Sequence, residues 1–377
     1  MTDDSLNRTP LYALHHELGA KLVPFAGYAM PVQYPMGVMK EHLHTRTQAG
    51  LFDVSHMGQV ILRPLGDRAA LDAALERLMP VAVAGLAEGR QRYGLFTNER
   101  GGILDDLMFA NRGDHILMVV NAARKTADIA HMQAHLSEVA KVVPVTDRAL
   151  LALQGPAAEA ALVRLVPDVA AMRFMDVITA GSDFGALWIS RSGYTGEDGF
   201  EVSVPERHAE GFARALLSMD EVAPIGLGAR DSLRLEAGLC LYGHDIDEGT
   251  SPVAAGLTWA IQKVRRSGGA RAGGFPGATR ILEELETGAL AQRVGLRPEG
   301  RAPMREGTVI WDAPEGGRNL GGVTSGGYGP SVEAPIAMGY LPDFAARPGT
   351  RLWGELRGKR LPVTVCALPF HPTNYKR

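Results

Sequence analysis

The sequence predicts an α+β protein of two or three domains with a β-rich part at its C-terminal end. Its 377 residues exceed the roughly 150 that one domain usually needs. Up to about residue 265, apolar segments of strand length alternate with segments of helical period. Beyond residue 290, short strand-like segments are separated by Gly and Pro, which is typical of a small β-barrel or sandwich.

The elements are predicted in the following order. The first fifty residues are interrupted by Pro and Gly and are expected to be irregular. Strands at 59–63, 93–97 and 115–121, with helices at 67–78 and 124–138, come close to a split βαβ, or ferredoxin-like, unit. Further strands follow at 150–153, 187–190 and 200–204, with a helix after Pro156 and another at 230–239. A glycine-rich flexible linker at 267–277, a helix at 278–286 and strands at 321–324 and 361–367 complete the chain.

Composition excludes several classes of protein. Hydrophobic residues at 46% and charged residues at 21% are typical of a soluble globular protein and not of a disordered or fibrous one. A net charge of −3 gives no general electrostatic reason to bind nucleic acid or an anionic membrane. With two cysteines, the chain has neither a disulfide framework nor a four-thiolate zinc site.

The charge is unevenly distributed along the chain. Residues 262–377 carry 17 basic and 10 acidic side chains, whereas residues 1–261 carry 22 basic and 32 acidic ones. The last third is therefore a separate, basic part of the molecule. It is either a basic surface without a specific partner or a landing site for an acidic ligand tail or an acidic protein, and charge alone does not decide.

Neither a targeting segment nor a membrane span is indicated. The first ten residues are polar and include Asp3 and Asp4, unlike a signal or transit peptide. No apolar run approaches the roughly 20 residues that span a bilayer. We expect bacterial cytoplasm, although a processed chain from the mitochondrial matrix would look similar.

The common catalytic and metal-binding motifs are missing. The sequence has no phosphate loop, no dinucleotide-binding glycine motif, no His-Glu-x-x-His and no nucleophile elbow. Residues 245–249 resemble the start of a calcium loop, but the glycine is one place early and the closing glutamate is missing. No metal site is predicted.

Two adjacent carboxylates, Asp105 and Asp106, lie in an apolar, strand-like run. Alternation along a strand directs one of them to the interior or a cleft and the other away. The pair is either a solvated or capping pair or includes a functional carboxylate that accepts a proton or stabilises a developing cation.

Glu201 and Arg230 present a similar choice. Glu201 follows a glycine-rich turn and is either a surface acid or an acceptor for a heterocycle that donates two hydrogen bonds. Arg230 begins a charged helical stretch and either joins a salt-bridged face or pairs with a ligand carboxylate. These residue types suit a planar, amide-rich heterocycle with a carboxylate tail.

Several ordered segments together resemble the T-protein family of the glycine cleavage system, the aminomethyltransferases. The resemblance runs from about Thr9 to the C-terminus. It rests on Phe25-Ala26-Gly27, residues 30–34, residues 51–58, residues 101–107, Leu153-Gln154-Gly155-Pro156, residues 194–199, residues 229–242 and Pro372-Thr373-Asn374-Tyr375.

The resemblance implies a reaction and an architecture. Ammonia is released from an aminomethyl group on the lipoyl arm of the H protein, and the carbon passes to tetrahydrofolate as 5,10-methylenetetrahydrofolate. It implies a three-domain cloverleaf: a folate-binding domain of residues 1–50 plus 145–265, an inserted ferredoxin-like domain of residues 51–144, and a β-rich domain of residues 275–377. The expected partners are the lipoylated H protein and tetrahydrofolate, without nucleic acid or membrane, and the expected state is a monomer.

The resemblance also assigns residues. Asp106 matches the family's essential aspartate, with Asp105 as the alternative because the two are adjacent. Glu201 matches the glutamate that anchors the pterin and Arg230 the arginine of the folate site. Two further matches to the binding site are Asn121, at a strand end facing the folate, and Tyr375, near the C-terminus.

Two rival functions remain at this point. One is a related folate-dependent demethylase, since no dinucleotide-binding half is present for a whole dimethylglycine or sarcosine oxidase. The other is a non-catalytic folate-binding protein of the iron–sulfur assembly type. That type carries a Lys-Gly-Cys-Tyr-x-Gln-Glu signature, which residues 238–245 lack.

Overall fold

The computed structural model describes residues 5–377, which form a mixed α/β protein. Within these residues, strands build one hairpin, one six-stranded sheet, one five-stranded sheet and one closed six-stranded barrel. The predicted α+β class is confirmed, and the C-terminal part is a barrel rather than a sandwich. No helix in the described residues is long and apolar enough to cross a membrane.

The first fifty residues are more regular than predicted. They contain α1 (Tyr12–Glu17), β1 (Lys21–Phe25), β2 (Tyr28–Gln33), α2 (Val38–Thr47) and β3 (Ala49–Asp53). The expectation of irregular structure was wrong because Gly27 makes a turn between two paired strands. Ala26 and Gly27 both have positive φ, 47° and 81°, as a two-residue hairpin turn requires.

A five-stranded antiparallel sheet follows, with two helices on one face. Its elements are β4 (Gly58–Pro64), α3 (Arg68–Glu76), β5 (Arg90–Thr97), β6 (Ile103–Asn111), β7 (Ile116–Val120), α4 (Lys125–Leu136) and β8 (Ala140–Val145). The strand order is β5-β6-β7-β4-β8. The predicted strands and helices are confirmed. With β6 and β8 the unit has five strands, whereas a ferredoxin-like unit has four. Pro144 fits β8 because β8 is an edge strand.

The six-stranded sheet joins residues from both sides of this unit in the sequence. After β8 come β9 (Arg148–Gln154), α5 (Ala158–Leu162), β10 (Val177–Ser182), β11 (Gly185–Ser190), β12 (Gly199–Pro205), α6 (Glu206–Leu217), β13 (Val222–Pro224) and α7 (Leu227–Glu236). The strand order is β10-β11-β12-β9-β3-β13. Residues of α5 and α6 share an apolar cluster with one face, and residues of α7 share a cluster with Phe52, Leu150 and Ala152 of the opposite face.

The barrel closes the chain. Short 3-10 turns at Thr258–Ala260 and Lys263–Arg265 and the helix α8 (Ala278–Thr287) precede it. The barrel strands are β14 (Ala291–Pro298), β15 (Val309–Trp311), β16 (Asn319–Gly329), β17 (Ala334–Pro342), β18 (Arg351–Leu356) and β19 (Lys359–Cys366). Further 3-10 turns lie at Pro167–Ala171 and Asp343–Ala345.

The glycine-rich segment before α8 is tied down, contrary to the predicted flexible linker. Backbone hydrogen bonds connect Arg271 to Val264 and Gly273 to Arg265. The Arg271 side chain also pairs with the buried carboxylate of Glu76, at 2.8 Å. The glycines serve close packing here, because a Cβ at Gly269 would lie 2.5 Å from the Lys263 carbonyl oxygen.

Candidate active site

Strand β6 directs its two neighbouring carboxylates to opposite faces of the five-stranded sheet. Asp105 lies on the face of Ile103 and Leu107, beneath the helices, and is fully buried. Asp106 lies on the other face with Met108 and is partly exposed. The alternation predicted from the sequence is therefore confirmed, and Asp106 is the carboxylate on the open face.

The start of β6 is fixed by a close backbone contact. A Cβ at Gly102 would lie 1.9 Å from the carbonyl oxygen of Glu248, so only glycine fits there. The next amide, of Ile103, donates to the carbonyl oxygens of Asp247 and Thr250 at 3.0 and 3.1 Å. The segment at residues 247–250 therefore determines where β6 begins. Because side chains alternate along a strand, the start of β6 also determines the face of the sheet on which Asp106 lies.

The side chains of Asn121 and Tyr93 hold the Asp106 carboxylate. Asn121 Nδ2 lies 2.7 Å from Asp106 Oδ1 and 2.9 Å from Asp105 Oδ1. The Tyr93 hydroxyl donates to Asp106 Oδ2 at 3.0 Å. Burial, followed by the charge of Asp105, raises the pKa of Asp106 to about 7. A carboxyl group with this pKa can both take up and release a proton near neutral pH.

Glu201 and Arg230 lie together without the partners that such groups usually have. Glu201 points away from the face of Phe200 and Val202 and lines a cavity with Met108, two positions along β6 from Asp106. Burial raises the pKa of Glu201, and the charge of Arg230 opposes this. Within residues 5–377, the side-chain carboxylate of Glu201 accepts no hydrogen bond and forms no ion pair, although the backbone of Glu201 is paired within the sheet. The buried Nη1 of Arg230 has no acceptor in the same residues.

Tyr194 connects this pair to Asp106. The guanidinium carbon of Arg230 lies 4.7 Å from the centre of the Tyr194 ring. Burial raises the pKa of Tyr194, and the negative charge of Asp106 adds to the rise. The turn that carries Tyr194 is packed on Gln154, since a Cβ at Gly193 would lie 1.6 Å from Gln154 Oε1.

Tyr375 lies apart from this group. Its ring stacks on Phe174 at 4.2 Å, and the neighbouring Asn374 amide donates to the Gly196 carbonyl. Over the described part of the chain, no hydrogen bond, ion pair or ring contact joins Tyr375 to any of the other four predicted residues. Four of the five, Asp106, Asn121, Glu201 and Arg230, are thus brought to one cleft, and Tyr375 belongs to a tail docked on the turn that carries Tyr194.

Three aromatic residues of the cleft were missed as candidates. The sequence indicates Tyr93 only as part of a strand and Tyr194 only as part of a turn. Trp259, which is 60% exposed, lies at the rim with its ring 5.1 Å from that of Tyr93. In the sequence these residues are marked only as aromatic side chains near a strand that carries aspartates or near a glycine-rich turn. Aromatic residues in such places are too common to be assigned to a functional site.

The cleft offers unpaired polar groups of several kinds. Besides Glu201 and Arg230, the buried Gln59 Oε1 and Gln91 Nε2 lack partners, and both glutamines line the cavity with Glu201. Such acceptors and donors fit a planar heterocycle with both kinds of hydrogen-bonding group. Among residues 5–377, no group of three or more His, Cys, Asp or Glu side chains could hold a metal ion.

Comparisons with known proteins agree with this geometry. Residues 11–265 match the family model described as the GCVT N-terminal domain, and residues 292–371 match the glycine cleavage T-protein C-terminal barrel domain. An aminomethyltransferase, mitochondrial, from Dictyostelium discoideum is 43% identical over 100% of this chain and 95% of its own. One from Flaveria trinervia is 44% identical over 99% and 92%.

A solved structure is similar throughout. The crystal structure of the glycine cleavage system aminomethyltransferase T from Bartonella henselae is 44% identical, with a TM-score of 0.90 over 99% of this chain and 100% of that one. These matches span the cleft and the barrel alike. The chain therefore belongs to the T-protein family of the glycine cleavage system, and aminomethyl transfer is its activity.

Proposed function

We propose that this aminomethyltransferase uses the cleft around Asp106 to move a carbon from an aminomethylated, lipoyl-bearing H protein to tetrahydrofolate, with release of ammonia. The supporting observation is the combination of a firmly held carboxylate, Asp106, with an unpaired carboxylate and guanidinium, Glu201 and Arg230, in the same cleft. Buried polar groups without partners in the protein indicate that a ligand completes them.

Tetrahydrofolate fits the residues present. Glu201 can accept two hydrogen bonds from the donor edge of a pterin, and the free Nη1 of Arg230 can donate to a carbonyl or carboxylate oxygen. Tyr93, Tyr194 and Trp259 supply aromatic surface beside them. When bound, tetrahydrofolate supplies the amine nitrogens that take up the transferred carbon.

Asp106 supplies the acid–base chemistry in this proposal. Because its pKa lies near neutrality, it can accept a proton from an attacking amine and return it to departing ammonia. The hydrogen bonds from Asn121 and Tyr93 fix the carboxylate, so that it need not reorganise during the reaction. Holding both substrates in one cleft contributes much of the remaining rate.

The decisive experiment is an assay of ammonia release from aminomethylated H protein with and without tetrahydrofolate. We expect the wild-type release to depend on tetrahydrofolate. We expect Asp106→Asn to bind tetrahydrofolate as before and to lose about 10²- to 10⁴-fold in kcat, the usual worth of a general base. Wild-type turnover by Asp106→Asn would overturn the proposed role of this carboxylate, and a dead Asp105→Asn beside it would transfer the role to Asp105.

The exposed arginines of the barrel support an acidic H protein as the binding partner. Arg297, Arg301, Arg305 and Arg347 are exposed and form no ion pair within the described residues. Free cations on one part of a molecule attract a partner of opposite potential and speed its association. We expect the affinity for H protein to fall as salt rises and to fall in Arg301→Glu; a salt-independent affinity would exclude this docking role.

The proposal also covers the domains of the chain, its oligomeric state and its cellular compartment. We propose that the chain divides into residues 1–50 plus 145–265, residues 51–144 and residues 275–377. The barrel supports this division because it has an apolar cluster of its own. The cluster of the five-stranded sheet, however, also includes Cys240, Ile246 and Leu257 from beyond residue 145. We propose a monomer. The mitochondrial names of the two curated relatives support the matrix as its compartment in a eukaryote, and bacterial cytoplasm stays a prediction.

A further inference from the structure

We propose that Gln59 and Gln91 determine the specificity of the cleft, because they recognise the pyrimidine edge of the tetrahydrofolate ring beside Glu201. This inference rests on the proposed function, since it takes tetrahydrofolate as the ligand and Asp106 as the reacting carboxylate. The two glutamines belong to β4 and β5 and line the cavity between the five-stranded and six-stranded sheets. They have no part in the acid–base chemistry of Asp106.

Three side chains of this cavity carry polar groups without partners. Gln59 is 5% exposed and Gln91 is 7% exposed, yet Gln59 Oε1 and Gln91 Nε2 are unpaired within residues 5–377. The carboxylate of Glu201 is the third unpaired group. The hydroxyl and guanidinium side chains of the same cavity do have partners, which are Arg148 for Ser203, Ser192 for Ser190 and the Ile178 carbonyl for Arg112. Buried polar groups rarely stay unpaired, so an occupant is expected at these three side chains.

The free atom of Gln59 is an acceptor. Its Nε2 lies 3.4 Å from the backbone carbonyl oxygen of Arg148, and a carbonyl can only accept. The NH₂ group of Gln59 therefore faces Arg148, and Oε1 is the atom left free. Gln91 contributes the opposite character, because its unpaired Nε2 is a donor.

The pyrimidine edge of a tetrahydropterin complements this set of groups. It carries an exocyclic amino group with two N–H donors, a ring N–H beside it and an oxo group on the far side of that ring nitrogen. The two oxygens of Glu201 can accept from the ring N–H and from one amino hydrogen. The second amino hydrogen then needs Gln59 Oε1, and the oxo group accepts from Gln91 Nε2.

The pairing of the strands places Gln59 at the right depth. Met108 follows Asp106 on the same face of β6, about 7 Å further along the strand. Met108 is paired with Val119, and Val119 is paired with Gln59, so Gln59 belongs to this second row of side chains. A fused two-ring heterocycle whose reacting amine meets Asp106 therefore brings its far ring to the row of Gln59.

The order of the strands places the two glutamines on opposite sides of that ring. Gln91 is paired with Ala110, one row beyond Met108. In the sheet order β5-β6-β7-β4, Gln91 lies on the first strand and Gln59 on the fourth. The two amide groups thus approach from opposite sides, as an amino and an oxo group on either side of one ring nitrogen require.

The size of the cavity decides which part of the ligand enters it. Its volume is about 30 Å³, which holds about two water molecules and no aromatic ring. The ring therefore lies in the cleft beside Met108, and only its exocyclic groups extend between the sheets to the glutamines.

The test compares the dissociation constants of the full chain for tetrahydrofolate and for its analogue with hydrogen in place of the exocyclic amino group. We expect the wild type to bind the analogue about 100-fold more weakly, because acceptors are then left unpaired. In Gln59→Met we expect tetrahydrofolate to bind about 10-fold more weakly and the analogue to bind as before, so that the ratio of the two constants falls about 10-fold. A wild-type ratio in Gln59→Met would overturn the proposal.

Two further variants sharpen this comparison. Gln91→Met is expected to weaken both ligands by the same factor, because both keep the oxo group; unchanged binding of both would remove Gln91 from the site. Ser203→Ala is the matched control, since it alters the cavity wall at a hydroxyl that Arg148 already holds at 2.8 Å. A ratio that falls in Ser203→Ala as far as in Gln59→Met would also overturn the proposal.

The outcome stays interpretable if a variant is unstable. Methionine nearly matches glutamine in length and removes polar atoms that are largely unpaired, so both Met variants are expected to fold. The wild-type measurement needs no variant, and equal affinity for the two ligands would overturn the proposal by itself. A wild type that does not bind tetrahydrofolate at all defeats the proposed function, whereas tight binding with a ratio that Gln59→Met leaves unmoved defeats only this inference.

Discussion

The hydroxyl of Tyr93 donates a 3.0 Å hydrogen bond to Oδ2 of Asp106 across two neighbouring strands. Burial raises the pKa of the carboxyl, and this hydrogen bond lowers it because the bond is made to the ionised form. Tyr93 thus counteracts the burial that the cleft imposes. The proton affinity of Asp106 depends on this contact as well as on its charged neighbours.

Replacing Tyr93 by Phe removes that hydrogen bond while keeping the ring against Trp259. The pKa of Asp106 then rises, and activity that needs the ionised carboxylate is lost at higher pH than in the wild type. We expect the acid limb of kcat/KM to move up by about one pH unit, consistent with the strength of a hydrogen bond to a charged group. A pH–rate profile measures this, and a shift to lower pH would contradict the assignment.

Glu201→Gln tests the folate site. Glutamine keeps one acceptor and places an NH₂ group where a pterin donor is expected, so two donors oppose each other. We expect KM for tetrahydrofolate to rise about 10- to 100-fold, the cost of a charged hydrogen bond and an unpaired donor. Glu206→Gln, on the exposed start of α6, is the control. Equal KM values for the two variants would remove Glu201 from the site.

A buried ionic network joins α2, α7 and the turn that carries Tyr194. Arg46 lies 2.8 Å from Glu197 and 2.9 Å from Glu236, and His42 lies 3.0 Å from Glu236. Although burial opposes it, the hydrogen bond from His42 and the charge of Arg46 lower the pKa of Glu236 to about 2. The ionised Glu236 therefore stabilises the fold above pH 4.5, and this contribution is lost as the pH falls towards 2.

Arg46→Met leaves two buried carboxylates without their cation. We expect the free energy of unfolding at pH 7 to fall by about 3–5 kcal/mol, the usual result of breaking a buried pair. Urea unfolding at pH 7 and at pH 4 measures the change, which is expected to be smaller at pH 4. Arg318→Met, whose side chain is 74% exposed, is the control and leaves the unfolding free energy nearly unchanged. Similar losses in both variants would argue against the network.

Tyr375 can be tested with two substitutions. Tyr375→Phe keeps the stack on Phe174, whereas Tyr375→Ala loses it. From the stacking alone, we expect Phe to behave as the wild type and Ala to destabilise the protein by about 1 kcal/mol beyond the lost burial. A rise in KM for tetrahydrofolate in Tyr375→Phe would instead assign the hydroxyl to the ligand, as the family resemblance implies.

The sequence predicted the fold class, most elements and the identity of the acidic strand. Hydrophobic period found the helices and the apolar strands because burial imposes that period. It did not find the first hairpin, because Pro and Gly interrupt the apolar pattern there and a turn glycine such as Gly27 looks the same in sequence as a glycine that breaks a strand. The glycine-rich segment before α8 predicts a flexible linker, and this prediction fails because close backbone packing leaves no mark in the sequence apart from glycine itself.

The site was predicted less completely than the fold. Alternation predicted only that the two aspartates point to opposite sides of the strand, one of them to the interior or a cleft. The family resemblance selected Asp106, with Asp105 as the alternative. The role of Asn121 as donor to both carboxylates and the contact of Tyr93 with Asp106 depend on the positions of β5 and β7 beside β6. No local pattern encodes such contacts, since they join residues 13 to 16 positions apart along the chain.

Strands β3 and β9 are neighbours in the six-stranded sheet, with Asp53 opposite Leu151, although the whole five-stranded unit lies between them in sequence. The two ends of that unit therefore emerge side by side. Closing so long a loop costs little extra entropy once the intervening residues are already compact. We expect the five-stranded unit to collapse early and to act as a short effective connection for the β3–β9 pairing. The β3–β9 pairing gives the six-stranded sheet a high contact order. This pairing would then slow folding much less than the number of residues between β3 and β9 suggests.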